Sequence, residues 1–178
     1  MLVKFQSLHK QKTIRVKCAT FNVSLKIMIW KPNVTVAAVI ENGGQFLFVE
    51  ETTDNGLMFN QPAGHLEPGE DLITAVKREV QEETAWQFEP EAVVAIQLWR
   101  KNPDFPSFVR FCFTGSIHSH NPKQTLDDGI ISTHWLSQEE ITARMTQLRS
   151  PLVLKTLEAY LSGQRYPLNI LQSFLDLA

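Results

Sequence analysis

One stretch constrains this chain more than any other, residues 64–86: Gly-His-Leu-Glu-Pro-Gly-Glu-Asp-Leu-Ile-Thr-Ala-Val-Lys-Arg-Glu-Val-Gln-Glu-Glu-Thr-Ala-Trp. Gly64, Pro68 and Gly69 punctuate its first part as a turn. From Asp71 onward no Gly or Pro interrupts and good helix formers dominate. Leu72, Val76 and Val80 recur every four residues, so the spacing predicts a helix with one apolar stripe. Glu79, Glu82 and Glu83 fall at i, i+3 and i+4, and their carboxylates converge on one patch. Like charges so placed repel by roughly 0.2–0.5 kcal/mol per pair. In the last turn they also face the negative end of the helix dipole, where Lys or Arg would stabilise. One reading of the trio is a solvated acidic face. The other is a site for a hard divalent cation such as Mg²⁺, which takes carboxylates, water and substrate phosphate as ligands.

The complete spacing favours the second reading. Gly, five residues, Glu, seven residues, then Arg-Glu-apolar-any-Glu-Glu is the signature of the Nudix hydrolases. This chain resembles it at Gly64, Glu70, Arg78, Glu79, Val80, Glu82 and Glu83. It departs at one position, carrying Ala85 where the family pattern has Gly, followed by Trp86 at the apolar position. Gly there would suit a left-handed helix ending. Ala in that conformation costs about 1 kcal/mol. The departure bears on how the helix ends and leaves the carboxylate patch intact.

A chain of 178 residues, 43% hydrophobic and 20% charged, is long enough for one ordinary domain with a real core. The formal charge of −2 does not point to a nucleic-acid partner. Cys18 and Cys112 form neither a metal spacing nor a disulfide framework, which fits a reducing, cytoplasmic setting. No apolar run reaches the roughly 18 residues of a membrane helix.

Residues 1–30 differ from the rest: they hold six basic residues and no Asp or Glu. Taking those six from 17 basic residues leaves 11 against 19 acidic, a formal charge near −8. Three readings compete for this segment. Translation beginning at Met28 ranks first, a disordered arm second, and a transit peptide third, since the segment has one Arg and two Ser. The expected organisation is therefore an extension over 1–27 outside the domain and a domain over 28–178.

Within the domain, the β-branched run 34–40 reads as a buried strand and Asn42-Gly43-Gly44 as a hairpin turn into a strand over 45–50. Asp54-Asn55-Gly56 is a second turn, and the short extended piece 57–60 delivers Gln61-Pro62-Ala63-Gly64 to the motif. Further strands are expected over 92–99, 108–117 and 130–136. Alternation along 108–117 sets Phe108, Arg110 and Cys112 on one face, which could carry Arg110 towards a ligand. Ser137-Gln138-Glu139-Glu140 has the spacing of a capping box. Helices are expected over 151–161, with Pro151 in the first turn, and over 168–177.

The Nudix resemblance implies an α/β/α sandwich, a mixed β-sheet between α-helices. It extends over residues 28–168 to a bacterial phosphatase branch of the family, carried by Lys31-Pro32-Asn33-Val34-Thr35-Val36-Ala37, Asn60-Gln61-Pro62-Ala63-Gly64-His65-Leu66-Glu67, Arg110-Phe111, Arg149-Ser150-Pro151-Leu152-Val153 and Ser162-Gly163-Gln164-Arg165-Tyr166-Pro167-Leu168. It implies a Mg²⁺-dependent enzyme, with Mn²⁺ as a possible substitute. Such an enzyme releases phosphate from nucleoside tri- and diphosphates and from thiamine-related pyrophosphates. Glu79, Glu82, Glu83 and the main-chain carbonyl of Ala63 would hold the metal. Arg78 would clamp phosphate or, as its helix neighbours favour, orient the ligands. Glu82 and Glu83 are candidates for the general base, as are Asp127 and Asp128, for which a solvated turn is the stronger reading. Trp99, Phe105 and Phe108 could stack on a ring, and Arg100, Lys101 and Arg110 could meet phosphates; for each aromatic a core role competes. The expected partner is a small-molecule phosphoanhydride, met by a monomer without nucleic acid or membrane. Two other functions stand beside this one: cleavage at an inner phosphate, and a non-catalytic nucleotide sensor, which would be expected to lose motif carboxylates.

Overall fold

The computed structural model describes residues 13–18, 21–26 and 30–175. The chain divides into two compact units, Met1–Lys31 and Pro32–Ala178. In the first, β1 (Thr13–Cys18) pairs antiparallel with β2 (Phe21–Lys26), with Thr13 opposite Lys26 and Cys18 opposite Phe21. The sequence reading assigned no element to this segment.

The second unit holds two sheets. Around β9 (Phe108–His118), β3 (Asn33–Val39) runs parallel and β8 (Gln87–Trp99) antiparallel. The edges are β7 (Ala63–His65), on β3, and β11 (Tyr166–Pro167), on β8, which makes a mixed five-stranded sheet. The other sheet is antiparallel, with β5 (Gln45–Thr53) paired to β4 (Glu41–Asn42), β6 (Gly56–Asn60) and β10 (Ile130–Ser137).

Strand alternation sorts the core into two sides. From β3 and β5, Val36, Ala38 and Leu47 join Ile40 against Ala75, Val76 and Val80 of α1 (Leu72–Thr84). The alternate residues Val39, Phe46 and Phe48 pack against Ile141 of α2 (Gln138–Ala143) and Val153 and Leu157 of α3 (Pro151–Leu161). The result is the expected α/β/α arrangement, with two sheets rather than one between the helices.

The local signals act where they were read. Ser137 and Glu140 form a reciprocal capping box, and Pro151 opens α3. Asp71 caps α1, its Oδ1 accepting the Thr74 N–H at 2.7 Å. Ala85 ends α1 in the left-handed conformation at φ 59°, its N–H bonded to the Gln81 carbonyl. Ala85→Gly should therefore stabilise the protein by about 1 kcal/mol. Thermal melting checks this: Tm should rise by a few degrees, and an unchanged or lower Tm contradicts the strain at Ala85.

The expected helix over 168–177 is corrected. Only Leu168–Ile170 forms a single 3₁₀ turn, and no regular element follows it to residue 175. Leu168 and Leu171 anchor the segment on the α1 side of the core. Phe174, 88% exposed, has nothing to bury against. A short helix needs a packed face to persist, and this one lacks it.

Candidate active site

The site is built where β7 meets α1. Its sharpest feature is a close approach. A Cβ on Gly64 would lie 2.1 Å from Glu79 Oε1 and 2.2 Å from its Cδ, so the Glu79 carboxylate rests directly on the glycine backbone. One residue earlier, the Ala63 N–H donates to Glu83 Oε2 at 2.8 Å. The strand end is thus docked onto two motif carboxylates, and this docking explains why a residue without a side chain stands at position 64. Glu79 and Glu83 are both buried; Glu82, the third of the trio, is half-exposed.

Arg78 ties the patch together. It grips Glu70 through two hydrogen bonds, Nη2–Oε1 at 2.7 Å and Nε–Oε2 at 3.1 Å. Its Nη1 donates to Glu79 Oε1 at 2.9 Å and to Glu82 Oε2 at 3.0 Å, and its Nη2 to the His65 carbonyl at 3.0 Å. Bonding to Arg78 holds the Glu70 carboxyl below the usual carboxylate range. Of the two roles read for Arg78, this geometry favours orientation of the carboxylates over a phosphate clamp. Arg78→Lys should accordingly cost about 10- to 100-fold in activity or metal affinity, because Lys lacks the planar fork. The check is the Mg²⁺ concentration for half-maximal rate. A raised substrate KM at unchanged Mg²⁺ requirement contradicts the orienting role.

One guanidinium serves three carboxylates while Glu83 is left without a cation in direct contact. Burial, then repulsion from Glu79, Glu51 and Asp127, pushes the Glu83 carboxyl up to about 8 despite the Ala63 N–H. Burial likewise raises Glu79, against the pull of Arg78. Excess negative charge on oxygen donors fits a hard divalent cation. Among the described residues no three acidic, His or Cys side chains already stand at ligating separations. Arg78 Nη1 takes one oxygen each of Glu79 and Glu82, Oε1 and Oε2, and leaves the second oxygen of each carboxylate free of that contact.

The other candidate residues fall into two groups. Trp99, Phe105 and Phe108 pack together, with ring centroids 6.0–6.1 Å apart, and Phe108 lies 6.2 Å from His65. This aromatic surface, with Phe105 40% exposed and Lys101 over its ring, reaches the residue next to Gly64. Asp127 is exposed, and its N–H bonds the Glu82 carbonyl at 3.0 Å, which ties the downstream loop to the end of α1. Arg110 lies on the face of β9 that carries Cys112 into the interior, and it is 5% exposed. Sequence reasoning missed Glu51 of β5, whose charge opposes that of Glu83. It also missed the buried pair Asn60 and Gln61 beside Arg110. Two adjacent Glu at the end of an apolar strand were the available signal for Glu51.

The NUDIX domain family model matches residues 31–156. The chain belongs to the Nudix family and is a hydrolase acting on phosphoanhydride bonds of small molecules. It is 42% identical over 146 residues to Phosphatase NudJ of Escherichia coli K12, covering 82% of this chain and 94% of that one. Phosphatase NudJ of Shigella boydii matches to the same extent. Among solved structures, a NUDIX hydrolase from Nitrosomonas europaea is 47% identical with a TM-score of 0.79, over 81% of this chain and 98% of that one. A MutT protein from Methanosarcina mazei, 23% identical, shares the fold at a TM-score of 0.61 over 78% of this chain and all of that one. Nudix hydrolases generally use divalent metal ions. No helix among the described residues is long and apolar enough to cross a membrane.

Proposed function

We propose that this protein is a Mg²⁺-dependent phosphatase that releases inorganic phosphate from nucleoside tri- and diphosphates and from thiamine-related pyrophosphates. One observation supports the reading: Ala63 and Gly64 are docked on Glu83 and Glu79, two of the three proposed carboxylate ligands. Glu79, Glu82, Glu83 and the Ala63 carbonyl hold the metal, with Mn²⁺ as a substitute. When bound, the ion neutralises phosphoryl oxygens and activates water. Arg78, anchored by Glu70, orients Glu79 and Glu82. Glu82, half-exposed, or Glu83 takes the proton from the attacking water. The aromatic surface of Trp99, Phe105 and Phe108 receives the ring of the substrate, while its phosphates lie towards α1. The name of the similar NudJ proteins, phosphatase, supports terminal cleavage. The enzyme works as a cytoplasmic monomer, and the catalytic domain is residues 28–178.

A phosphate-release screen over nucleoside tri- and diphosphates and thiamine-related pyrophosphates, with and without Mg²⁺, tests this. Phosphate should be released only with metal. Trp99→Ala or Phe105→Ala should raise KM by about tenfold, the loss of roughly one stacking contact. Pyrophosphate as the product would transfer the reading to inner-phosphate cleavage. No turnover of any substrate would leave a non-catalytic binding domain.

A further inference from the structure

Two buried side-chain polar atoms among the described residues lack a hydrogen-bond partner: Glu51 Oε1 and Arg110 Nε. Burial works against the Arg110 charge, which Cys112, Glu83 and Glu51 partly offset. Neither Arg110 nor Glu51 belongs to the signature motif. Arg110 enters from β9 and Glu51 from β5, so three separate elements converge behind the metal-facing carboxylates.

Among the described residues Arg110 makes no direct ion pair. Its Nη2 donates to Gln61 Oε1 at 3.2 Å and to Asn60 Oδ1 at 3.4 Å. Gln61, 1% exposed, in turn donates its Nε2 to the Val153 carbonyl of α3 at 3.0 Å. The next two residues are Pro62, whose carbonyl accepts the Ala38 N–H, and Ala63, whose N–H holds Glu83. A buried guanidinium beside neutral amide and thiol groups carries a large desolvation penalty, which the charges around it offset in part. Glu51 has the matching imbalance: burial raises its carboxyl, and Arg149, half-exposed, reaches its Oε1 only at 3.5 Å.

We propose that Arg110 is a positioning residue. It braces residues 60–63 against α1 as a buried cation and shares its charge with Glu51 and Glu83, which fixes where Ala63 and Glu83 face the metal. Arg110 acts through these residues and touches no substrate. The metal-facing part of this proposal rests on the function proposed above; the charge coupling to Glu51 does not.

The test uses the full chain with Arg110→Met, Glu51→Gln and the double variant. In metal-free melting, Arg110→Met should lower Tm, and Glu51→Gln in the same protein should recover part of the loss, because the orphaned carboxylate is removed. Strictly additive Tm changes would overturn the coupling. Should Arg110→Met not fold alone, recovery of a folded double variant is the same expectation, and failure of that rescue contradicts it. In the second arm, Mg²⁺ is titrated against Tm and against rate. Arg110→Met, or Arg110→Lys if that alone folds, should shrink the Mg²⁺-induced rise in Tm. It should also lower kcat about tenfold with substrate KM nearly unchanged. A raised substrate KM with an intact Mg²⁺ response would overturn the positioning role in favour of a direct phosphate contact. If the wild type shows no Mg²⁺-dependent phosphate release, the proposed function fails, while the metal-free arm still decides the coupling.

Discussion

Glu83→Gln is expected to raise the stability of the metal-free protein at pH 8 while reducing turnover by about 100-fold or more. The stability part follows from linkage. Glu83 titrates near 8 in the folded protein against an ordinary value of 4.5, so the folded state holds a proton that the unfolded state has already lost. Such a group penalises folding as pH rises above 4.5, and the penalty is complete only above about 8. The metal-free wild type should therefore lose Tm between about pH 5 and pH 8, and Glu83→Gln should lose less. The turnover part follows from chemistry. Gln keeps the shape and can still accept the Ala63 N–H, but it cannot supply an anionic ligand or a base; 100-fold corresponds to about 3 kcal/mol of transition-state stabilisation. Melting scans across this pH range, paired with rates at saturating Mg²⁺, check both parts. A variant that is less stable and nearly as active would make the patch structural.

The second large effect is at Gly64. In Gly64→Ala the new methyl must occupy the place of the Glu79 carboxylate, within 2.2 Å of three of its atoms. That carboxylate is the end of a flexible side chain, so it can swing away more cheaply than β7 can move. Doing so breaks its 2.9 Å bond to Arg78 Nη1. The stability loss should stay within the roughly 1–3 kcal/mol typical of overpacking. Activity should fall by about 100-fold, since a carboxylate proposed to hold the metal is displaced. Rates and Tm measured together separate the two: a protein that is strongly destabilised but active per folded molecule would contradict the direct contact.

Much of this site was readable because it is local. Glu79, Glu82 and Glu83 share a helix face by spacing alone, and Arg78 reaches Glu70 from within the same turn and helix. The ends of elements were equally legible where one side chain decides them, as at Ser137 and Pro151. What spacing does not carry is which elements meet. Alternation along β9 separated Arg110 from Phe111 and Phe113, but both faces of that strand are covered, so the pattern could not say that Arg110 turns inward. Gly64 read as a turn residue, and its actual reason, the carboxylate lying on it, comes from the docking of β7 against α1. Glu51 reaches the patch from β5 and has no spacing relation to the motif. At 168–177 the apolar residues matched a helix period, yet among the described residues of this segment only Leu168 and Leu171 found the core.

The central claim is that the α1 carboxylates exist to hold a divalent cation for phosphoanhydride hydrolysis. The most direct measurement is phosphate release from a nucleoside triphosphate as Mg²⁺ is titrated, with wild type and Glu83→Gln side by side. The wild type should be silent without metal and saturate with it, and Glu83→Gln should stay at least about 100-fold lower at every Mg²⁺ concentration. Equal rates in the two proteins, or release by the wild type that ignores Mg²⁺, would contradict the claim.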